Sequence, residues 1–191
     1  GLYNISVILN DTRHITSHDW KVNVKPATDD IIGDNDSIEK ENIPALKIKI
    51  NGSEDIIANH SDAKHINITD SNTPILDFWH NFTEKRLDLR NATIKKQPSG
   101  DSRGFTLING IETTSSKTIY IDRINTSIAS VCIRDAPTSS IDNITESCLG
   151  KDETPIRCPG VVDDYNCTIS NNMFVITGVE HSAARQQTYC G

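Results

Sequence analysis

The chain has 191 residues, of which 36% are hydrophobic and 5% aromatic, and its formal net charge at pH 7 is −7. This length suits one large all-β domain, or one domain with part of another. The acidic balance argues against a nucleic-acid partner, because phosphate backbones are bound by basic surfaces. The excess of acidic side chains is typical of a surface that stays hydrated.

Residues 1–26 alternate apolar and polar side chains in two stretches. The first stretch, 1–10, has apolar residues at every second position from Tyr3, and the second, 20–25, does the same from Trp20. A period of two is typical of strands with one buried face. We therefore predict an N-terminal β-hairpin that either is exchanged between subunits or ends a preceding module.

Residues 27–44 are acidic and lack periodicity, so we predict a linker here. Five of its side chains could offer oxygen ligands to calcium: Asp29, Asp30, Asp34, Asp36 and Glu39. The segment lacks the ligand spacing and the glycine of a calcium loop. No metal or other cofactor is therefore predicted, and N-linked glycans are the expected non-protein groups.

Residues 45–191 read as short strands separated by turn residues. Asn51-Gly52 and Asn171-Asn172 are typical of tight hairpin turns. The strands are predicted at 45–50, 64–69, 86–93, 104–108, 117–124, 129–134, 165–170 and 173–177. We predict a mostly β fold, an Ig-like sandwich of short antiparallel strands with one short helix and disulfide staples.

The helix is predicted at 74–84. Its apolar residues have the i, i+3, i+4, i+7 spacing of a helix face and are Ile75, Phe78, Trp79 and Phe82. Thr73 would cap this helix and Pro74 would occupy its first position. The aromatic side chains either pack in the core or form an exposed platform for a sugar.

Acceptor triplets for N-glycosylation are the most prominent feature of the chain. Eleven asparagines precede x-Ser or x-Thr without proline: Asn4, Asn10, Asn35, Asn51, Asn59, Asn67, Asn81, Asn91, Asn125, Asn143 and Asn166. A random order of the same residues would contain roughly three such triplets. The excess predicts a glycoprotein located outside the cell or on its surface.

Five cysteines, all in the last sixty residues, agree with an oxidising compartment. Four are expected in disulfides: Cys132, Cys148, Cys158 and Cys167. Sequence leaves fifteen ways to form two bridges. We expect Cys148–Cys158 and Cys132–Cys167, with Cys190 free or bonded to a missing segment or a second chain.

Two parts of the sequence resemble a known family. GLYNISVILNDTRHITSHDWKVNVKP is similar to the closing hairpin of PKD-like or Ig-like modules in archaeal surface glycoproteins. YIDRINTSIASVCIRDAPTSSIDNITESCLG, followed by RCPG, YNCTI and ITGVEHSA, resembles the cysteine-containing β-domains of large archaeal secreted proteins. The resemblance implies β-sandwich modules along a cell-surface polypeptide, and no catalytic residue carries over from it.

No catalytic motif with defined spacing is found, and no enzyme is predicted. The exposed histidines are expected to be His14, His18, His60 and His65, without a ligand role. Carboxylate pairs for glycoside hydrolysis depend on tertiary distances that sequence does not reveal. The sequence also has no initiator Met, signal peptide or transmembrane run, so we expect a processed chain or part of a longer one.

We favour the hypothesis of a structural building block of an extracellular filament, pilus-like fibre or sheath. Identical subunits would join into a homopolymer by strand addition. The residues expected at the subunit contact are Leu2, Tyr3, Ile5, Val7, Leu9 and Cys190. The alternative is an adhesin or receptor-type module for a glycan or cell-surface protein. A secreted glycosidase or protease and a viral envelope glycoprotein are further interpretations.

Overall fold

The computed structural model describes residues 30–56 and 60–188 in full, and residues 2–10 and 15–23 by their backbone. Within these ranges lie seventeen strands and one 3-10 turn, Ile141–Asn143, and no helix there is long and apolar enough to cross a bilayer. In chain order the strands are β1 Leu2–Asn10, β2 Ile15–Asn23, β3 Ile31–Ile32, β4 Glu39–Glu41, β5 Leu46–Ile50, β6 Ala63–Asp70, β7 Thr73–Asn81, β8 Leu87–Asp88, β9 Thr93–Lys96, β10 Phe105–Asn109, β11 Lys117–Asp122, β12 Ser130–Arg134, β13 Glu153–Arg157, β14 Gly160–Val162, β15 Tyr165–Ser170, β16 Met173–Val179 and β17 Ala183–Gln186.

Two large sheets form the body of the protein. One has seven strands in the order β14-β15-β16-β11-β7-β6-β5, and the other has six in the order β13-β12-β17-β10-β9-β4. Neighbouring strands are antiparallel except β4 and β9. β3 and β8 form a parallel pair, and β1 and β2 form an antiparallel hairpin. The predicted mostly β sandwich is therefore confirmed.

One hydrophobic core lies between the two sheets. Every second residue of a strand points inward, and β5 shows this in Leu46, Ile48 and Ile50, which are buried. The seven-stranded sheet supplies, among others, Ile66, Ile68, Leu76, Phe78, Ile119, Phe174 and Ile176. The six-stranded sheet supplies, among others, Ile94, Ile108, Val131, Ile133, Ile156 and Ala184.

The helix predicted at 74–84 is wrong. Most of this stretch is β7, which pairs with β6 along its whole length and with β11 on the other side. A register shift at Ile68/Thr69 in β6 accommodates Pro74 and lets both Ile75 and Leu76 be buried. Backbone pairing on both sides of β7 therefore outweighs a side-chain spacing that also fits a helix.

The linker predicted at 27–44 is wrong for the residues that the structure describes, which begin at Asp30. Ile31, Ile38 and Ile43 are buried in the main core. β3 pairs with β8 and β4 pairs with β9. The acidic residues between these isoleucines remain on the surface, so the segment lacks a two- or 3.6-residue period although it belongs to the sandwich.

The four cysteines expected in disulfides are bonded, but the predicted pairing is wrong. The bridges are Cys132–Cys148, with Cα atoms 5.7 Å apart, and Cys158–Cys167, with Cα atoms 5.2 Å apart. Cys167 faces the main core. Cys132 belongs to a second, small hydrophobic cluster. Its neighbours on β12, Val131 and Ile133, face the main core, so Cys132 points to the other side of the six-stranded sheet. The Cys132 and Cys167 sulfurs therefore lie on opposite sides of the six-stranded sheet and cannot meet. Cys190 lies outside the described residues.

Both predicted hairpin turns have the expected backbone. Asn51 and Gly52 have φ values of 47° and 84°, and Asn171 and Asn172 have 49° and 59°. After the first turn only Ser53 bridges back, to Ile50, and the long partner of β5 is β6. β17, which lies beyond the last strand predicted from sequence, is a central strand of the six-stranded sheet.

Candidate functional site

The outward face of the seven-stranded sheet presents an aromatic side chain to solvent. Trp79 is 56% exposed although it lies on β7, an interior strand of the sheet. Phe78 and His80, on either side of it, are buried, as the alternation of a strand requires. His65 lies directly opposite Trp79 on β6, with the two ring centroids 5.4 Å apart. The aromatic platform that sequence proposed as an alternative is thus reduced to one tryptophan and one histidine.

A polar network lies beside these two rings. Tyr120 on β11 donates its hydroxyl hydrogen to Asp77 Oδ2 at 2.5 Å, and His65 Nε2 lies 3.5 Å from Asp77 Oδ1. Burial, followed by the hydrogen bond to Asp77, raises the pKa of Tyr120 above its ordinary value. The hydroxyl therefore stays protonated and holds the Asp77 carboxylate in place.

Asn67, an acceptor asparagine, lies within the same face. It is opposite Asp77 on β7 and opposite Lys49 on β5. Its side chain is half-buried and has no hydrogen-bond partner among the described residues. We refer to Lys49, His65, Asn67, Asp77, Trp79 and Tyr120 as the Trp79 face. An aromatic ring surrounded by hydrogen-bonding groups is suited to a saccharide, which has apolar and hydroxyl surfaces.

A second candidate is an open cleft of about 650 Å³ beside the start of β11. Its lining is mostly polar: Lys85, Ile111, Glu112, Thr113, Thr114, Ser115, Ser116, Lys117, Glu180 and His181. Lys117 is only 4% exposed, and burial lowers its pKa. Its Nζ donates to the carbonyl oxygen of Glu180.

The neighbours of Lys117 account for its position. Asp135 accepts hydrogen bonds from the backbone N–H groups of Glu180 (3.0 Å) and His181 (2.5 Å) and thereby fixes the turn that Lys117 contacts. Lys85 and Glu112 form an ion pair in the same cleft. These contacts give Lys117 a role in holding the turn after β16.

A buried carboxylate missed by sequence reasoning organises the loop around Cys148. Glu153 accepts hydrogen bonds from the Thr145 N–H (2.7 Å), the Thr145 hydroxyl (2.5 Å) and the Gly150 N–H (2.7 Å). Burial alone would raise its pKa, but these hydrogen bonds outweigh it and lower the pKa below its ordinary value. Glu153, Cys132 and Cys148 are the only three close potential metal ligands in the described residues, and the disulfide occupies both sulfurs.

Eight acceptor asparagines have described side chains, and none of these eight is buried. Five are exposed: Asn51, Asn91, Asn125, Asn143 and Asn166. Three are half-buried: Asn35, Asn67 and Asn81. Asn4 and Asn10 lie on β1, where only the backbone is described, and Asn59 lies outside the described residues. Side-chain access at these eight positions is compatible with glycan attachment.

The predicted histidine environments are only partly correct. The His60 ring is half-buried against Phe82, with ring centroids 4.9 Å apart, rather than exposed. His80, which sequence reasoning did not select, is fully buried, with Nε2 2.8 Å from the Lys85 carbonyl oxygen and no partner for Nδ1 in the described part of the chain. Its place in the alternation with Phe78 was the available signal. His14 lies outside the described residues, and the side chain of His18 is likewise not described.

Three of the acidic residues considered for calcium, Asp30, Asp34 and Glu39, contact other groups of the chain. Asp30 accepts the His60 N–H at 2.7 Å, and Asp34 accepts the Ser37 N–H at 3.0 Å. Glu39 pairs with Lys95 at 3.2 Å. Within the described part of the chain, no three of these carboxylates come close enough to share an ion, and Asp29 lies outside it.

Comparison with known proteins identifies no relative: no family model, no curated protein and no solved structure matches the chain.

Proposed function

We propose that the protein is a structural module of an extracellular glycoprotein assembly, in which the β1–β2 hairpin of one copy adds to the sandwich of the next. The observation that carries this proposal is the hydrogen bonding of the hairpin. Within the described residues, β1 and β2 pair over nine positions each and belong to no other sheet. A two-stranded hairpin by itself is marginally stable in water, so this one needs a surface to cover it.

The register divides the hairpin into an apolar and a polar face. Ile5 lies opposite Trp20 and Tyr3 opposite Val22, and directly opposed residues share a face of a sheet. The predicted contact positions Tyr3, Ile5, Val7 and Leu9 therefore fall on one face, whereas Leu2 falls on the other. On β1 the mainly polar face has Asn4, Ser6 and Asn10 together with Leu2 and Ile8, and the mainly apolar face includes Thr16 and His18 on β2. An apolar hairpin face with acceptor asparagines on its back suits docking with the glycans directed outward.

The edge strands of the sandwich differ in how well they could receive a strand. β4 and β14 have three residues each, and β13 contains Pro155, which has no N–H group. β5 has five residues and no proline. Of the four edges of the two large sheets, β5 is therefore the best acceptor for a hairpin strand.

The hydrogen bonds of β5 locate its free backbone groups. Ile50 exchanges two hydrogen bonds with Ser53 on the side away from β6. Backbone groups of a strand alternate between its two sides, so the N–H and C=O groups of Leu46 and Ile48 point to that same side, where no strand of the described residues pairs with β5. A strand of a neighbouring copy would satisfy these four groups.

The setting outside the cell is supported by two independent features. Two disulfides are typical of proteins from oxidising compartments. None of the eight described acceptor asparagines is a buried residue. Glycans at these positions would limit unwanted pairing of strand edges and favour the one contact that the hairpin makes.

The proposal is tested by removing or altering the hairpin in the full chain. Deletion of residues 1–25 should abolish polymers while the sandwich stays folded, as measured by light scattering, negative-stain imaging and circular dichroism. Ile5→Glu should have the same effect, because it places a charge on the apolar face. The matched control is Ser17→Glu, which adds the same charge to the polar face opposite Ile8, leaves every acceptor triplet intact and should leave polymers intact. Polymers of normal length from the deleted chain would rule the proposal out.

A second candidate function is recognition of a glycan or a cell-surface protein, as in an adhesin or receptor. The exposed indole of Trp79 beside the Asp77 and His65 side chains supports it. Trp79→Ala should then abolish binding to a glycan array without changing assembly. A monomeric protein that binds such an array through Trp79 would favour this function over the structural one.

A further inference from the structure

In the described residues, the large apolar side chains that remain exposed occur near acceptor triplets for N-glycosylation. There are four of them: Trp79, Ile124, Leu149 and Val161. Ile124 immediately precedes Asn125 in sequence, and Val161 lies directly opposite Asn166 on the neighbouring strand. The Leu149 N–H donates to the hydroxyl of Thr145, which is the third residue of the Asn143 triplet. Val161 is thus the cross-strand neighbour of an acceptor asparagine, Ile124 is next to one in sequence, and Leu149 contacts the last residue of an acceptor triplet through its backbone.

Trp79 follows the same rule through strand pairing. Asn67 is opposite Asp77, and Trp79 is two residues further along the same strand. Asn67 and Trp79 are thus diagonal neighbours on one face of the sheet, a separation of about 7 Å that large side chains bridge. Among the described residues, no hydrogen bond holds the Asn67 side chain away from the ring.

We propose that Asn67 carries an N-linked glycan whose innermost sugars pack on the Trp79 ring. This inference rests on the proposed function, which makes the protein a glycoprotein. The apolar face of a pyranose ring would cover the indole, and its hydroxyl groups would reach the Asp77 carboxylate and the Lys49 ammonium group, which flank Asn67 on the adjacent strands.

The covalent link is the reason to assign this surface to the chain's own glycan. A sugar attached one strand away has a high effective concentration at Trp79, so even a weak contact is largely formed. The same glycan would stand in front of the face and obstruct a protein partner. Its presence would turn an exposed tryptophan in mid-sheet into a covered one.

The test uses the full chain secreted from a host that attaches N-linked glycans. In a Trp20→Phe background, Trp79 is the only tryptophan, and its access is measured by acrylamide quenching of fluorescence. Asn67→Gln should raise the quenching constant about twofold, since one face of the ring becomes free. The control is Asn166→Gln. It removes a glycan from β15 of the same sheet, three strands from Trp79 on β7, and should leave the quenching constant unchanged. If Trp20→Phe impairs folding, oxidative footprinting read by mass spectrometry reports Trp79 separately in the unaltered chain.

Site occupancy separates failure of this inference from failure of the proposed function. Glycans on other asparagines but not on Asn67, or equal quenching with Asn67 occupied, would overturn the inference alone. A chain with no glycan at any acceptor asparagine would overturn both. Protection of Trp79 by added free saccharide in the glycosylated protein would also contradict the inference, because it would show that the ring is open to an external ligand.

Discussion

The disulfide pairing makes a quantitative prediction about stability. The bridges close segments with sequence separations of 16 (Cys132–Cys148) and 9 (Cys158–Cys167). The restriction of the unfolded chain by loops of these lengths corresponds to about 3 kcal/mol for each bridge. In a Cys190→Ser background, the variant that replaces Cys132 and Cys148 by alanine loses one bridge. Its free energy of unfolding should therefore fall by about 3 kcal/mol.

A crossed double variant provides the control. Replacing Cys148 and Cys158 by alanine removes one partner from each bridge, so both are lost and the decrease should be about 6 kcal/mol. That is a large share of the roughly 5–15 kcal/mol by which domains are stable. Urea unfolding monitored by circular dichroism measures both values, and thiol titration should find two free thiols in the crossed variant alone. A crossed variant that retains one disulfide and is the more stable of the two would refute the pairing.

Three other predictions concern single side chains. Burial lowers the pKa of His80, so the folded state favours the neutral imidazole whereas the unfolded chain binds the proton. The free energy of unfolding should therefore be highest above the ordinary histidine pKa of about 6.5 and fall as the pH drops below it. His80→Gln should remove this difference between unfolding measured at pH 7 and at pH 5. Gly178 has φ +93°, and an added Cβ would lie 2.1 Å from a backbone carbonyl oxygen, so Gly178→Ala should lower the unfolding free energy by more than about 2 kcal/mol. Gly100→Ala is its control, with a similar φ and open space, and should lower it by about 1 kcal/mol. Phe78→Ala should lower the unfolding free energy by about 3–5 kcal/mol, because Phe78 is buried. Trp79→Ala should have a much smaller effect, because the neighbouring Trp79 side chain points outward. Equal effects of the two variants in thermal or urea unfolding would contradict the alternation of β7.

The success of sequence reasoning depended on whether the deciding interactions were local. Asn51-Gly52 and Asn171-Asn172 form turns because these residues tolerate positive φ whatever surrounds them. The alternation over Leu46–Ile50 likewise predicted a strand with one buried face, which is observed. These features depend on residues within a few positions of one another, so a single sequence is enough to find them.

The candidate site was only partly accessible to sequence. Trp79 was singled out within a helix pattern, but its exposure follows from the pairing of β7 with β6 and β11. Asn67 was identified as an acceptor, whereas its place diagonal to Trp79 depends on the register of β6 against β7. The Glu153 carboxylate had no sequence signal, because its donors at Gly150 and Thr145 are only three and eight residues away but match no motif that would identify the bend bringing them together.

The sequence by itself determined the mostly β class, the hairpin turns, the set of acceptor asparagines and the presence of enough cysteines for two bridges. The tertiary structure decided which cysteines pair, that the stretch after Thr73 is a strand, and that Ile31, Ile38 and Ile43 are buried. The physical reason is the range of the interactions. Turn geometry and side-chain alternation are set by neighbouring residues, whereas disulfide partners, strand registers and burial depend on segments that only the folded chain brings together.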